Sequence, residues 1–311
     1  MDHLLNRLQL KEFRLILAIS ETGQLAMAAE RLSLTQPAAS RLLAGIERKI
    51  GIAAFHRHPK GMVATPVGAI LARNAQSLIN GIVEALREVR SVGAGRAGIV
   101  RVGAVTGGAV AFVVPAIQQL KKTASGVDVH VDVGPSDMLI DGLVRGDYDF
   151  VLSRIPAQVD ARDFQILPGR EEIVRFVVRA GHALAGRGPL SLKDLSGFEW
   201  VIQPMPTPMR QAVEAAFIAH QVALPNDIVN TTSLLVMIAY LASSQAIAPT
   251  SGEVAELISA GAFGASISVL DVIEPVIVHP YHLLTRKTHV MSPLAERLRR
   301  LVFAALASPR E

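Results

Sequence analysis

The stretch Thr35-Gln36-Pro37-Ala38-Ala39-Ser40-Arg41-Leu42-Leu43-Ala44-Gly45-Ile46-Glu47 decides the reading of the chain. Thr35 is a suitable N-cap, and Pro37 falls in the first turn of a helix, where its missing N–H costs nothing. Leu42, Leu43 and Ile46 follow at helical spacing and are expected to face inward. Gln36, Ala39, Ser40 and Arg41 then remain near the N-terminal end. Small and hydrogen-bonding side chains there can approach base edges and phosphates, so the stretch reads as a DNA recognition helix.

Working outward, Leu25-Ala26-Met27-Ala28-Ala29-Glu30-Arg31-Leu32 forms a short helix whose alanines permit close packing, and Ser33-Leu34 turn the chain into the recognition helix. Upstream, Leu10, Phe13, Ile16 and Leu17 are expected to form the inner stripe of a first helix ending near Thr22-Gly23. Downstream, Phe55-His56-Arg57-His58-Pro59-Lys60-Gly61-Met62-Val63-Ala64-Thr65 is a basic segment suited to a wing, with Arg57 and Lys60 as candidate phosphate contacts. His56 and His58 have no neighbouring Cys or clustered carboxylates to complete a metal site.

These residues carry a specific resemblance. Phe13, Ala28-Ala29-Glu30-Arg31-Leu32, Thr35-Gln36-Pro37-Ala38-Ala39-Ser40, Ile46-Glu47, Gly51, Phe55, Arg57 and Thr65-Pro66-Val67-Gly68 resemble the N-terminal domain of LysR-type transcriptional regulators. Glu21-Thr22-Gly23-Gln24-Leu25-Ala26 and Arg57-His58-Pro59-Lys60-Gly61-Met62 further resemble the branch of galactose-binding-protein and protocatechuate-pathway regulators. Gln24 departs from the family's usual Ser, and Ala53-Ala54 precede Phe55 where a bulkier residue is usual. The resemblance implies a DNA-binding set of Gln24, Thr35, Gln36, Ala39, Ser40, Arg41, Arg57, Lys60 and Thr65.

Composition agrees with a multidomain chain. Its 311 residues, half of them apolar, can build two or three cores, and with no cysteine it has no disulfide, thiolate metal site or Cys nucleophile. Asp2, Arg7, Lys11, Glu12 and Arg14 interrupt the first twenty residues, so no signal-peptide core is expected there. The longest apolar run, Leu234 to Ala242, is far shorter than the roughly 20 residues of a spanning helix. The expectation is a soluble, cytoplasmic protein without a membrane partner. Residues 1–92 carry 12 Lys and Arg against 7 Asp and Glu, whereas residues 93–311 carry 19 against 20. The positive excess therefore lies in the part that holds the recognition helix.

Thr65 caps, and Pro66 begins, a long helix on which Val67, Leu71, Leu78, Ile82, Ala85 and Val89 form one apolar seam. The seam either pairs two chains or packs on its own domain; the resemblance implies the dimerisation linker. Pairing would let a homodimer or homotetramer reach half-sites roughly 34 Å apart or a multiple of it.

Gly93-Ala94-Gly95-Arg96-Ala97-Gly98 is a hinge by composition. Beyond it, strands at Ile99–Val105, Val127–Val133 and Tyr148–Ser153 alternate with helices at Ala109–Lys122 and Asp137–Arg145, a run of parallel βα units. Ile173–Arg179 and Glu199–Ile202 are further strands, Thr207–His220 and Ser233–Ser243 helices, and Ala246–Pro249 ends another strand. Tyr281–Thr285 and a helix from Pro293 to Leu306 close the chain. The resemblance implies two α/β subdomains like a periplasmic binding protein, with a small inducer between them. The expected layout is a winged helix-turn-helix domain of helices over 1–65, a linker helix over 66–92 and an effector domain over 93–311. Its subdomains are placed at about 93–167 with 269–311, and 168–268.

Open α/β sheets bind ligands beyond the carboxyl ends of their strands. Thr106 and Gly107, Arg154, Gln203 and Thr207, Thr232, and Pro249 occupy such ends and are the candidate effector residues, although each also fits plain turn chemistry. Arg154 suits a carboxylate, which favours a sugar acid or aromatic acid. The alternative pairs it with Asp149, Asp160 or Asp163. Nine scattered His, and the absence of Gly-x-Ser-x-Gly, His-Glu-x-x-His and phosphate-loop patterns, leave no catalytic set and imply no cofactor. A ligand-switched regulator, with RNA polymerase as a further partner, leads over a solute-binding receptor and an α/β enzyme.

Overall fold

The computed structural model describes residues 8–59, 61–93, 98–261 and 266–308. The chain divides into two compact units, Met1–Arg96 with Thr288–Val290 and Ala97–Lys287 with Met291–Glu311.

The first unit contains helices α1 (Leu10–Thr22), α2 (Leu25–Arg31) and α3 (Gln36–Ile50), strands β1 (Phe55–His58) and β2 (Gly61–Ala64), and the long helix α4 (Pro66–Gly93). A capping box starts α1, with the Gln9 N–H donating to the Glu12 carboxylate at 2.7 Å. Lys49 at the end of α3 donates to the other oxygen of Glu12 at 2.7 Å, so this carboxylate sits inside the unit, 3 % exposed, and fully satisfied. The buried stripe of α1 differs from the expected one. Leu15, Ile16 and Ile19 are buried, whereas Leu10 is exposed and Phe13 and Leu17 are only half-buried.

Helix α1 stops at Gly23, φ +64°, and Ser33 takes φ +55° in the turn between α2 and α3. Thr35 caps α3 as expected, its hydroxyl accepting the Ala38 N–H. The unit is not purely helical, since the wing is an antiparallel hairpin pairing Phe55 with Ala64 and His58 with Gly61. Glu47 holds it to α3 by accepting the Ala54 and Phe55 N–H groups at 2.9 and 3.3 Å.

The second unit contains β3 (Gly98–Ala104), a helical run through Thr106–Gly108 and a π turn at Ala109–Val113 into α5 (Val114–Thr123), β4 (Val127–Val133), α6 (Ser136–Arg145), β5 (Phe150–Ser153) and β6 (Phe164–Arg179). After a helical turn at Leu192–Leu195 come β7 (Trp200–Ile202), α7 (Pro208–Ala219), β8 (Ile228–Asn230), α8 (Leu234–Ser243), β9 (Ala248–Ser251), α9 (Gly252–Ser259), β10 (Ile267–Val269), β11 (Ile277–Arg286) and α10 (Pro293–Ala307). Strands β4, β3 and β5 are parallel, as expected for βα units.

The parallel run ends at β6, which pairs antiparallel with β11 along its first half and with β9 and β10 along its second. Two cores result. One gathers Val102, Phe150, Leu283 and Leu298; the other gathers Phe176, Trp200 and Phe217, whose rings meet edge-on at 5.6 and 5.5 Å. The chain passes from one core to the other inside β6, so the expected division at 167/168 falls within a continuous strand. Most of the hinge, residues 94–97, lies outside the described residues. No described helix is long and apolar enough to cross a membrane.

Candidate nucleic-acid interface and effector cleft

The outer face of α3 presents Gln36 and Arg41, both exposed, with the exposed cap Thr35 ahead of them. Ser40 is half-buried and accepts a hydrogen bond from the Arg57 guanidinium on β1 at 3.3 Å, tying the hairpin to the helix. Gln24 is exposed at the start of α2, beside Gly61.

Two expected contacts belong to the interior instead. Ala39 is 0 % exposed because it shares a face with Leu43 and Ile46, four and seven residues on, and packs with them in the core. Thr65 is buried, its hydroxyl donating to the Ala53 and Ala54 carbonyls and accepting the Gly68 N–H at 3.0 Å, so it anchors the start of α4. Lys60 lies outside the described residues. Glu12, which takes Lys49 in the last turn of α3, is a contact the sequence reading omits; its signal is the three-residue spacing from the cap Gln9.

Helix α4 uses its apolar seam in two ways. Its first part packs on the unit's own core, with Ala72 and Ala75 buried and Val67 and Leu71 half-buried. From Leu78 onward the seam is bare: Leu78, Ile82, Ala85, Leu86 and Val89 are exposed, the last by 69 %. Leu71 thus packs on the unit's own core, and Leu86 joins the open face.

In the second unit a cleft of about 330 Å³ opens at the strand ends. Thr106, Arg154, Gln203, Thr207, Thr232 and Pro249 line it, together with Ser136, Glu172, Ser233, Thr250 and Ser251. Among the described residues, five helical segments begin at its wall, at Thr106, Ser136, Pro208, Leu234 and Gly252. Ser233 and Ser251 cap two of them by accepting the Val236 and Val254 N–H groups. Helix N-termini carry partial positive charge, so their convergence favours an anionic or oxygen-rich guest. Among the described residues no aromatic ring lines the cleft, and much of its lining is apolar, including Val105, Met138, Met209 and Met237.

Gly107 does not face it. A β-carbon there would lie 2.7 Å from the Ser251 hydroxyl, so the glycine makes room for a neighbouring strand end, not a ligand.

Arg154 pairs with none of the three expected carboxylates, Asp149, Asp160 and Asp163. Its guanidinium pairs with Glu172 on β6, its Nε donates to the His279 carbonyl at 2.6 Å, and it lies 5.7 Å from the Tyr281 ring centre. Asp149 accepts the Arg101 N–H, and Asp160 pairs with Arg162. The Arg154 and Glu172 side chains are only 12 % and 8 % exposed. Burial, with a smaller contribution from Arg154, holds the neighbouring His282 below the ordinary imidazole range, in keeping with its Nδ1 accepting the Gly169 N–H. Among the described lining residues, the carboxylate of Glu172 is tied to Arg154.

Comparison with known proteins matches two family models. Residues 10–69 match the bacterial regulatory helix-turn-helix protein, lysR family, and residues 93–307 match the LysR substrate binding domain. The chain is 36 % identical to the HTH-type transcriptional regulator GbpR of Rhizobium radiobacter over 80 % of this chain and 83 % of that one. It is 29 % identical to the HTH-type transcriptional regulator PcaQ of Agrobacterium fabrum over 67 % and 65 %. The crystal structure of full-length CbnR complexed with its target DNA covers 96 % of this chain and all of its own, with a TM-score of 0.55 and 17 % identity, a likeness of fold.

Proposed function

The chain belongs to the LysR family of transcriptional regulators, and from that premise we propose that it binds duplex promoter DNA as a homodimer or homotetramer under control of a small hydroxylated carboxylate. The observation that carries the DNA part is the division of α3 into two faces: Ala39, Leu43 and Ile46 fix it to the core while Gln36 and Arg41 project outward. Arg57, and Lys60 by its place in the sequence, are assigned to phosphates. CbnR, of like fold, has been crystallised on its target DNA. The bare half of the α4 seam is assigned to a second copy of the chain, and RNA polymerase is the partner through which such a regulator acts on transcription.

For the effector, the hydroxyls and the amide on the wall suit the hydroxyls of a sugar acid, beside an apolar part of the lining that includes Val105, Met138, Met209 and Met237. The carboxylate is assigned to the helix N-termini, because Arg154 is already engaged. An effector that binds one arrangement of the cleft more tightly shifts the population toward it, and thereby alters how paired recognition helices are held on DNA.

Arg41→Ala is expected to reduce preference for the operator over random duplex by about 1–3 kcal/mol. Arg57→Ala is expected to weaken binding to both alike and to lower the salt slope by about one. Fluorescence anisotropy across a salt series distinguishes them. An unchanged operator-to-random ratio in Arg41→Ala contradicts the assignment of α3.

A further inference from the structure

Glu172 lies in the middle of β6, lines the effector cleft and is in direct contact with Arg154, which lines it too. One carboxylate oxygen takes the guanidinium, and the pair sits almost wholly out of water. The guanidinium has a further acceptor in the His279 carbonyl, so it is held in place from two sides. A buried ion pair of this kind presents no net charge to a guest, and each member is costly to leave unpaired.

From this arrangement we infer that Glu172 is a charge-selectivity residue: it lets the cleft accept a hydroxyl-bearing monocarboxylate and turns away the dicarboxylate of the same size. The inference rests on the hydroxy-acid reading of the cleft and deepens it. A guest with its single carboxylate at the helix N-termini brings hydroxyls toward the pair, and a hydroxyl donates to the Glu172 carboxylate without disturbing Arg154. A second carboxylate in that place cannot donate. It must either stand beside Glu172, a like charge in a poorly hydrated setting, or take Arg154 and strand Glu172 unpaired.

The probes are a six-carbon aldonate and the matching aldarate, which differ only in whether C6 carries a hydroxyl or a carboxylate. Affinities are measured on the full-length protein by calorimetry, with melting temperatures of the ligand-free variants recorded alongside. The wild type is expected to bind the aldonate at least about tenfold more tightly than the aldarate. Glu172→Gln leaves Arg154 with an uncancelled charge and is expected to bring the ratio to about one or to reverse it. Arg154→Gln leaves the carboxylate alone and is expected to widen the ratio, so the two variants move it in opposite directions. The wild-type ratio needs no variant and decides the matter even where a substitution weakens folding. If the wild type binds the aldonate but takes the aldarate equally well, or if folded Glu172→Gln keeps the wild-type ratio, the selectivity role is overturned while the hydroxy-acid reading stands. If neither acid binds the wild type, both are overturned.

Discussion

Ile82→Glu combined with Leu86→Glu is expected to convert an associating protein into a monomer and to lower its affinity for a two-half-site operator by about 100-fold or more. Both side chains are exposed on α4, where the apolar seam has left the unit's own core behind. Four charges in the paired state, two from each copy, would have to be stripped of water against apolar neighbours, whereas a monomer keeps them hydrated. Loss of pairing makes each half-site contact a separate bimolecular event, which is why a change far from α3 is felt on DNA. The folded unit loses no contact of its own, so its far-UV circular dichroism is expected to stay that of the wild type, while the melting temperature falls because pairing no longer stabilises the native state by mass action. Light scattering after size exclusion, with anisotropy on one- and two-half-site duplexes, gives both readings. A double variant that keeps its mass, or keeps its two-site affinity, refutes pairing through α4.

The second large effect is expected at Gly169, where β6 passes β11. A β-carbon at this position would lie 1.7 Å from the Tyr281 carbonyl oxygen and 2.9 Å from the His282 α-carbon, and both are backbone atoms. No rotamer relieves such a clash; one strand must move. The pairing of β6 with β11 already shifts register on either side of Tyr281, and that strand carries the His279 carbonyl that holds Arg154. Gly169→Ala is therefore expected to cost about 3 kcal/mol or more and to lower the melting temperature by about 10 °C, with effector binding impaired in the protein that remains folded. Gly45→Ala is the control, since a β-carbon there has nothing within 4 Å and alanine favours the helix. Equal melting of the two variants in circular dichroism contradicts the close approach at Gly169.

How much of this was legible in the sequence depended on whether the deciding contact was local. Thr35, Pro37 and Gly51 mark the ends of α3 by rules that act within a turn, and Leu43 and Ile46 mark its inner face by period alone. Ala39 was not legible, because an alanine serves close packing and close approach to DNA equally well. Thr65 was visible as a cap but not as a buried one, for its two carbonyl partners come from the loop before β1. The same ambiguity affected Gly107, where the group that needs the space is Ser251, far along the chain. On α4 the seam was plain, but a leucine at 71 looks like a leucine at 78. Only the fold shows that the core ends between them.

The largest omission was the first half of β6. Phe164 to Glu172 has no clean alternation and contains Pro168 and Gly169, so it resembled a loop. Glu172 therefore had no place in the site, and Arg154 was read as free for the effector's carboxylate or, in the alternative, as paired with Asp149, Asp160 or Asp163. The strand-end rule still located most of the cleft, because that rule depends on topology and not on partners.

The central claim is that α3 reads duplex DNA under the control of a ligand in the cleft. It is tested most directly by anisotropy competition between the duplex upstream of the protein's own coding sequence and a random duplex of equal length, at moderate salt, with and without a six-carbon aldonate. The expected result is a preference for the upstream duplex of about 1,000-fold or more, and a change in that preference when the aldonate is added. Equal affinity for both duplexes, with and without the acid, would contradict it.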